Sequence, residues 1–116
     1  MTLEDFYLMV GGDYEDALRR LTTPERIQKM LNIFVHENMI KRLSEDLEAG
    51  DVNAAFRDAH TMKGNCLTLS LIRFLSVVSS ITEALRSGNL DLANELFPDV
   101  EAEYTMIVGA ISQVNT

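Results

Sequence analysis

Leu43-Ser44-Glu45-Asp46-Leu47-Glu48-Ala49-Gly50-Asp51-Val52-Asn53-Ala54-Ala55 reads as the end of one helix, a glycine stop and the capped start of another. Upstream, Ile27, Leu31, Phe34, Val35 and Ile40 join Leu43 and Leu47 in helical rather than strand spacing. Gly50 suits the left-handed residue that closes a helix, and Asp51 can cap the next one. The same punctuation recurs at Ser87-Gly88-Asn89. Glycine followed by a short polar cap joins helices through tight antiparallel turns.

Working outward, Thr23 with Pro24 at the first helical position opens a long helix that runs to about residue 49. The helix after Gly50 should run to about residue 71, a further one covers about 73–86, and a last one about 90–114. Pro98 either kinks the last helix or marks a turn within it. On the N-terminal side, Thr2 caps a short helix that stops at Gly11-Gly12, and Asp13 caps a second short piece through Leu21. No period-2 strand pattern appears. The predicted fold is all-α: one domain over residues 1–116, an antiparallel up-down four-helix bundle at about 24–114, and an N-terminal helical cap over 2–21.

With 47% hydrophobic and 24% charged residues, 116 residues suffice for one real core. A net charge of -8 argues against nucleic acid and anionic membranes as partners, since both recruit clustered Lys and Arg. No run approaches the roughly 18 apolar residues of a membrane span. Glu4 and Asp5 stand where a secretory leader carries basic residues, so the expected location is cytoplasmic. The lone Cys66 excludes an internal disulfide and a CxxC pair. No HExxH, GxxxxGK[ST] or GxGxxG occurs, so neither a metal, a bound cofactor nor a nucleotide is expected. Any phosphate chemistry would draw its phosphate from a partner.

The chemistry-bearing stretch is Ala59-His60-Thr61-Met62-Lys63-Gly64-Asn65-Cys66. On a helix, His60, Lys63 and Gly64 are neighbours at i, i+3 and i+4. Ala55, Ala59, Met62, Cys66 and Leu69 form the main apolar stripe, and His60 lies well round the cylinder from its centre, toward solvent. Imidazole in its neutral form is a nucleophile. Lys63 can offset the charge of a phosphoryl group. Glycine within a helix costs about 1 kcal/mol relative to alanine, so Gly64 points to a gain elsewhere, namely room for a partner. Phe56 and Leu67 lie near His60 and off the stripe centre. They either line an apolar docking patch or, for Phe56 in particular, pack under a neighbouring helix.

The segment Ala59-His60-Thr61-Met62-Lys63-Gly64 resembles the A-H-x-x-K-G signature of histidine phosphotransfer (HPt) domains, and the similarity extends over nearly the whole chain. The turn Glu48-Ala49-Gly50-Asp51 precedes the histidine at the family's usual distance. Ile81-Thr82-Glu83-Ala84-Leu85-Arg86-Ser87-Gly88 looks like the family's hydrophobic-x-Glu helix ending in a glycine turn. The resemblance implies that His60 is the phosphoacceptor, Lys63 an electrostatic helper and Gly64 the clearance for a response-regulator receiver domain. Arg86 matches a position that carries a basic residue near the site in some members, and Phe56, Leu67 and Arg86 would form the partner-facing rim. The chain departs from the family at Ser70, where a glycine is common, and at Cys66 and Leu67, where small residues are favoured.

The reading that follows is a phosphorelay intermediate that exchanges phosphate with receiver aspartates, works with a hybrid sensor histidine kinase, and acts as a monomer. It needs no ATP site of its own; the Mg²⁺ is expected on the partner. The alternative is a helical adaptor that binds receivers or kinases without phosphotransfer. A kinase dimerisation helix would place an acid after the histidine and a proline soon after, whereas Thr61 follows His60 and the next proline is Pro98. A four-helix metal carrier would need Glu-x-x-His pairs, which are absent. His36 lacks the Lys and Gly partners and reads as an ordinary surface residue. Cys66, Met9, Met30, Met39, Met62 and Met106 read as core filling. Glu45, Asp46 and Glu48 read as a solvated face.

Overall fold

A computed structural model describes residues 1–114. Seven helices occupy them, with no strand among the described residues: α1 (Leu3–Val10), α2 (Tyr14–Leu21), α3 (Pro24–Glu37), α4 (Met39–Glu48), α5 (Val52–Leu69), α6 (Ile72–Arg86) and α7 (Leu90–Ile111). The caps expected from the sequence are formed. Thr2 and Asp5 make a reciprocal capping box, Asp13 Oδ1 accepts from Asp16 N at 3.0 Å, and Thr23 Oγ1 accepts from Arg26 N at 3.2 Å behind Pro24. Asp51 and Asn89 cap α5 and α7 in the same way, and Gly50 and Gly88 take the left-handed conformation at the turns before them.

α5 packs against α4 on one flank and α6 on the other, α6 packs against α7, and α7 returns to touch α4. α3 lies against α5 and α7, α2 bridges α3 and α5, and α1 rests on α7. The molecule is elongated, 40 × 23 × 19 Å. Its centre is closed by Phe34, Phe74 and Tyr104, whose rings lie 5.3–6.3 Å apart, with Leu31, Met62, Ile81 and Ile107 fully buried.

The single long helix expected over residues 24–49 is two helices. Asn38 breaks it with φ 46° and ψ 51°, a left-handed conformation that asparagine tolerates better than most residues. Burial requires the break. α3 buries Ile27, Leu31 and Phe34, and α4 buries Met39, Leu43 and Leu47. On one continuous helix the second set would lie roughly 120–200° round from Ile27, on the far side from the core. The left-handed residue resets the phase, and Val35 and Ile40 are left half-buried. Two smaller differences follow from local packing. Met9 is 51% exposed rather than core, because α1 is a one-sided cover whose outer face meets solvent. α7 runs unbroken through Pro98, whose missing N–H lies on an exposed stretch, and it ends at Ile111 rather than near residue 114.

α5 stops at Leu69, two residues before the expected end, because Ser70 turns left-handed (φ 55°, ψ 42°). That conformation explains why glycine suits this position. Here the N-terminal helices hold it. Tyr7 Oη donates to Leu69 O at 2.7 Å, Asp13 N to Ser70 O at 2.9 Å, and Arg20 Nη1 to Thr68 O at 3.2 Å. The Ser70 hydroxyl donates to Asp16 Oδ2 at 2.6 Å and accepts from Arg20 Nη1 at 2.9 Å. These bonds satisfy the last carbonyls of α5, which have no partner within the helix. The hydrogen bonds from Ser70 and Arg20 hold the Asp16 carboxyl down at about 2. Burial pushes the Tyr7 hydroxyl well above the usual phenol value, keeping it a neutral donor.

Asp58 is an acid inside the α4–α5 interface, 9% exposed. It lies roughly 60° from the centre of the α5 stripe, on the flank that meets α4. Burial, then a hydrogen bond with Asp46 and the charge of that carboxyl, push it up to about 7, against the attraction of Arg42 and Arg57. As a carboxylate it would bury Oδ2 without a donor; as an acid it can donate to Asp46. Asp46, read from the sequence as part of a solvated face, is half-buried for this purpose.

Tyr7→Phe removes a buried donor from Leu69 O and should lower unfolding free energy by about 1–2 kcal/mol in urea titration, with little change in m-value. Asp58 gives the opposite sign with pH. The unfolded chain releases this proton near the ordinary carboxylate value, whereas the folded chain holds it to about 7, so stability falls as pH rises through that window. Asp58→Asn should therefore melt about 4–8 °C above the parent at pH 8 and lose that advantage at pH 4.

Candidate functional site

The stripe assigned from sequence is the buried face of α5: Ala55, Ala59, Met62 and Cys66 are fully buried and Leu69 nearly so. Burial pushes the Cys66 thiol up to about 12, which leaves it an inert hydrophobe. Roughly 140° from that stripe, His60 is exposed. Its helix is held on the buried side by α4, α6 and α3, so the imidazole projects from a rigid support.

The six residues singled out from the sequence gather along this outer flank. Lys63 is half-buried one turn beyond His60 and makes no ion pair among the described residues, so its charge is uncommitted. Gly64 is exposed, in ordinary helical conformation, and a Cβ built on it would meet nothing within 4 Å. Neither backbone geometry nor internal packing requires glycine here. Leu67, the next turn along the same ridge and about 10 Å from His60 by helical rise, is 52% exposed. On the N-terminal side of the histidine, the Phe56 ring lies 5.7 Å from the imidazole, with the planes tilted by 50°. Arg86, at the C-terminal end of α6, brings its guanidinium to 5.0 Å from the Phe56 ring centroid, a cation–π contact. Its Nε pairs with Glu83 at 3.2 Å.

Phe56 is half-buried and packed against the core, and its ring also faces His60 and Arg86. His36, set aside from the sequence, is exposed at the end of α3. The residue that sequence reasoning missed is Asp58. Its position three residues after Ala55 and four before Met62 was a readable signal of an acid on a buried flank. It faces α4, on the opposite flank of α5 from Arg86, and belongs to the support rather than to the exposed surface.

An exposed imidazole, an uncommitted lysine one turn away and an open patch beside them make a surface on which a neutral nucleophile can meet an anionic group carried by a partner. Among the described residues no group of three or more His, Cys, Asp or Glu side chains is placed to hold a metal ion, and no helix is long and apolar enough to cross a membrane. Comparison with curated proteins and with solved structures gives no significant match. The family model described as "Hpt domain" matches residues 22–110, which spans α3 to most of α7 and includes every residue of the His60 surface. The chain belongs to the Hpt domain family, the phosphocarrier modules of phosphorelay signalling, which associate with receiver domains and kinases.

Proposed function

We propose that His60 is the phosphoacceptor of a phosphorelay intermediate and exchanges its phosphoryl group with an aspartate of response-regulator receiver domains. The observation that carries this reading is Gly64: a helix-weakening residue beside an exposed histidine, with empty space where a side chain would stand. A partner surface that must come within bonding distance of the imidazole gives that space a use.

In the transfer to this chain a ring nitrogen of His60, Nε2 in this proposal, forms an N–P bond. The bond from phosphorus to the receiver's aspartyl oxygen breaks in line, and the carboxylate is the leaving group. The receiver supplies Mg²⁺ and most of the transition-state stabilisation, and this chain supplies no cofactor. Lys63 offsets charge on the transferred group, and Leu67, Phe56 and Arg86 form the rim that contacts the receiver. A hybrid sensor histidine kinase is the other partner of the relay. The supporting fold is an antiparallel up-down bundle of four arms, α3 with α4, α5, α6 and α7, and α1 and α2 cap one end. We read residues 1–116 as one such domain, monomeric and cytoplasmic.

Incubation with phosphorylated receiver domains and Mg²⁺ should place an acid-labile, base-stable phosphate on the protein. His60→Gln should abolish it; transfer that survives the substitution, or receiver binding with no transfer from any cognate receiver, would sink the reading, the second outcome in favour of an adaptor. Lys63→Ala should slow transfer about fivefold, the scale of a solvent-screened charge, with unchanged melting temperature. Gly64→Ala should raise unfolding free energy by about 1 kcal/mol in denaturant titration. Gly64→Leu should keep the fold yet weaken receiver binding about tenfold by calorimetry, since a side chain now occupies the approach.

A further inference from the structure

Phe56 sits one turn before His60, and helical side chains lean toward the N-terminus over the residue a turn earlier. The imidazole accordingly rests beside the Phe56 ring, with centroids 5.7 Å apart. The ring is half-buried and packed on the core, so it is a fixed wall, whereas His60 is exposed and without it would sample its rotamers freely. The same ring carries the Arg86 guanidinium at 5.0 Å, and Glu83, one turn earlier on α6, pairs with Arg86 at 3.2 Å. Through this one ring, α6 delivers a cation to the edge of a site built on α5. Lys63 stands on the other side of the histidine along the helix.

We propose that Phe56 is a positioning residue for phosphoryl acceptance: it restricts the His60 imidazole to outward-facing rotamers and holds Arg86 beside it. The inference rests on His60 being the phosphoacceptor. Ordering the nucleophile before the donor arrives removes rotamer entropy that would otherwise be lost on reaching the reactive geometry. The aromatic face is what matters, because a flat ring both abuts the imidazole and attracts a guanidinium. An aliphatic side chain of similar volume would fill much of the same space but offer neither a flat face to the imidazole nor a π face to the guanidinium.

The test separates positioning from docking by using two donors on the wild type, Phe56→Leu and Phe56→Tyr. One donor is phosphoramidate, which needs no docking surface: the His60 nitrogen forms the N–P bond as the donor's P–N bond breaks and ammonia leaves. The other is a phosphorylated receiver at saturating concentration. Phe56→Leu should lower the phosphorylation rate about fivefold with phosphoramidate and with the receiver at saturation, where any loss of rim contact no longer limits the rate. Phe56→Tyr should restore the rate. The His60 ring-proton resonances should move toward solvent-exposed positions in the Leu variant and return in the Tyr variant, reporting the ring current of the neighbouring aromatic. Melting temperatures identify any variant that has failed to fold, and the Tyr variant keeps the comparison intact in that case.

A Leu variant that is phosphorylated at the wild-type rate by both donors, and differs only in receiver affinity, would leave Phe56 a rim contact alone and overturn the inference. So would a Tyr variant as slow as the Leu variant, or a wild-type His60 inert to phosphoramidate. Wild-type His60 that accepts from phosphoramidate but from no receiver would instead defeat the relay reading, and the phosphoramidate rates of the three proteins would still decide the role of Phe56.

Discussion

The left-handed turn at Ser70 is the constraint on which the rest of the molecule depends. α5 is in contact with α2, α3, α4 and α6, so its end must be closed without leaving carbonyls buried and unpaired. A glycine would make the turn without strain. Serine makes it with its hydroxyl bonded to Asp16 and Arg20, and its carbonyl receives the Asp13 amide. Tyr7 and Arg20 take the two preceding carbonyls. The N-terminal helices are therefore more than a lid: they contribute the donors that terminate the central helix. Gly12 is part of the same closure, since a Cβ there would come within 2.9 Å of Ser70 O and 2.7 Å of the Tyr7 ring.

With its end fixed, α5 can present three different faces. Its alanines and Met62 let neighbouring helices approach closely and fill the centre. Its α4 flank holds Asp58 as a neutral acid against Asp46. Its outer face carries the histidine. A nucleophile on an exposed ridge gains nothing from burial, so the rigidity it needs has to come from the buried side of the same helix. The acid pair bears on that indirectly, through the packing of α4 against α5.

In the proposed relay the outer face is where an acidic protein receives an anionic group. The chain carries a net charge of -8, yet Lys63 stands one turn from His60 and Arg86 lies over the Phe56 ring that faces it. Lys63 arrives by helical spacing on α5. Arg86 comes from another helix and is captured by an aromatic ring and a glutamate. One cation is thus set by local geometry and the other by the α5–α6 packing. Beyond about one Debye length of roughly 8–10 Å the overall negative charge is screened, so such local cations dominate what a docked group experiences.

Much of this was legible in the sequence because it follows from short-range rules. Thr2, Asp13, Thr23, Asp51 and Asn89 cap their helices because a side-chain oxygen reaches the amide three residues on, whatever else is nearby. The α5 stripe and the exposure of His60, together with the placement of Lys63 and Gly64, follow from 100° per residue alone. What the tertiary structure decided are the features that depend on a second element. The bend at Asn38 exists because two apolar stripes out of phase on one helix cannot both face a single core, and the early stop at Ser70 exists because α1 and α2 supply donors for it. The displaced proton affinity of Asp58 comes first from its burial and then from Asp46 across the α4–α5 interface, and the stack of Arg86, Phe56 and His60 requires α6 to lie on the correct flank of α5. Helical periodicity fixes which residues share a face; only the packing of one helix on another fixes what that face meets.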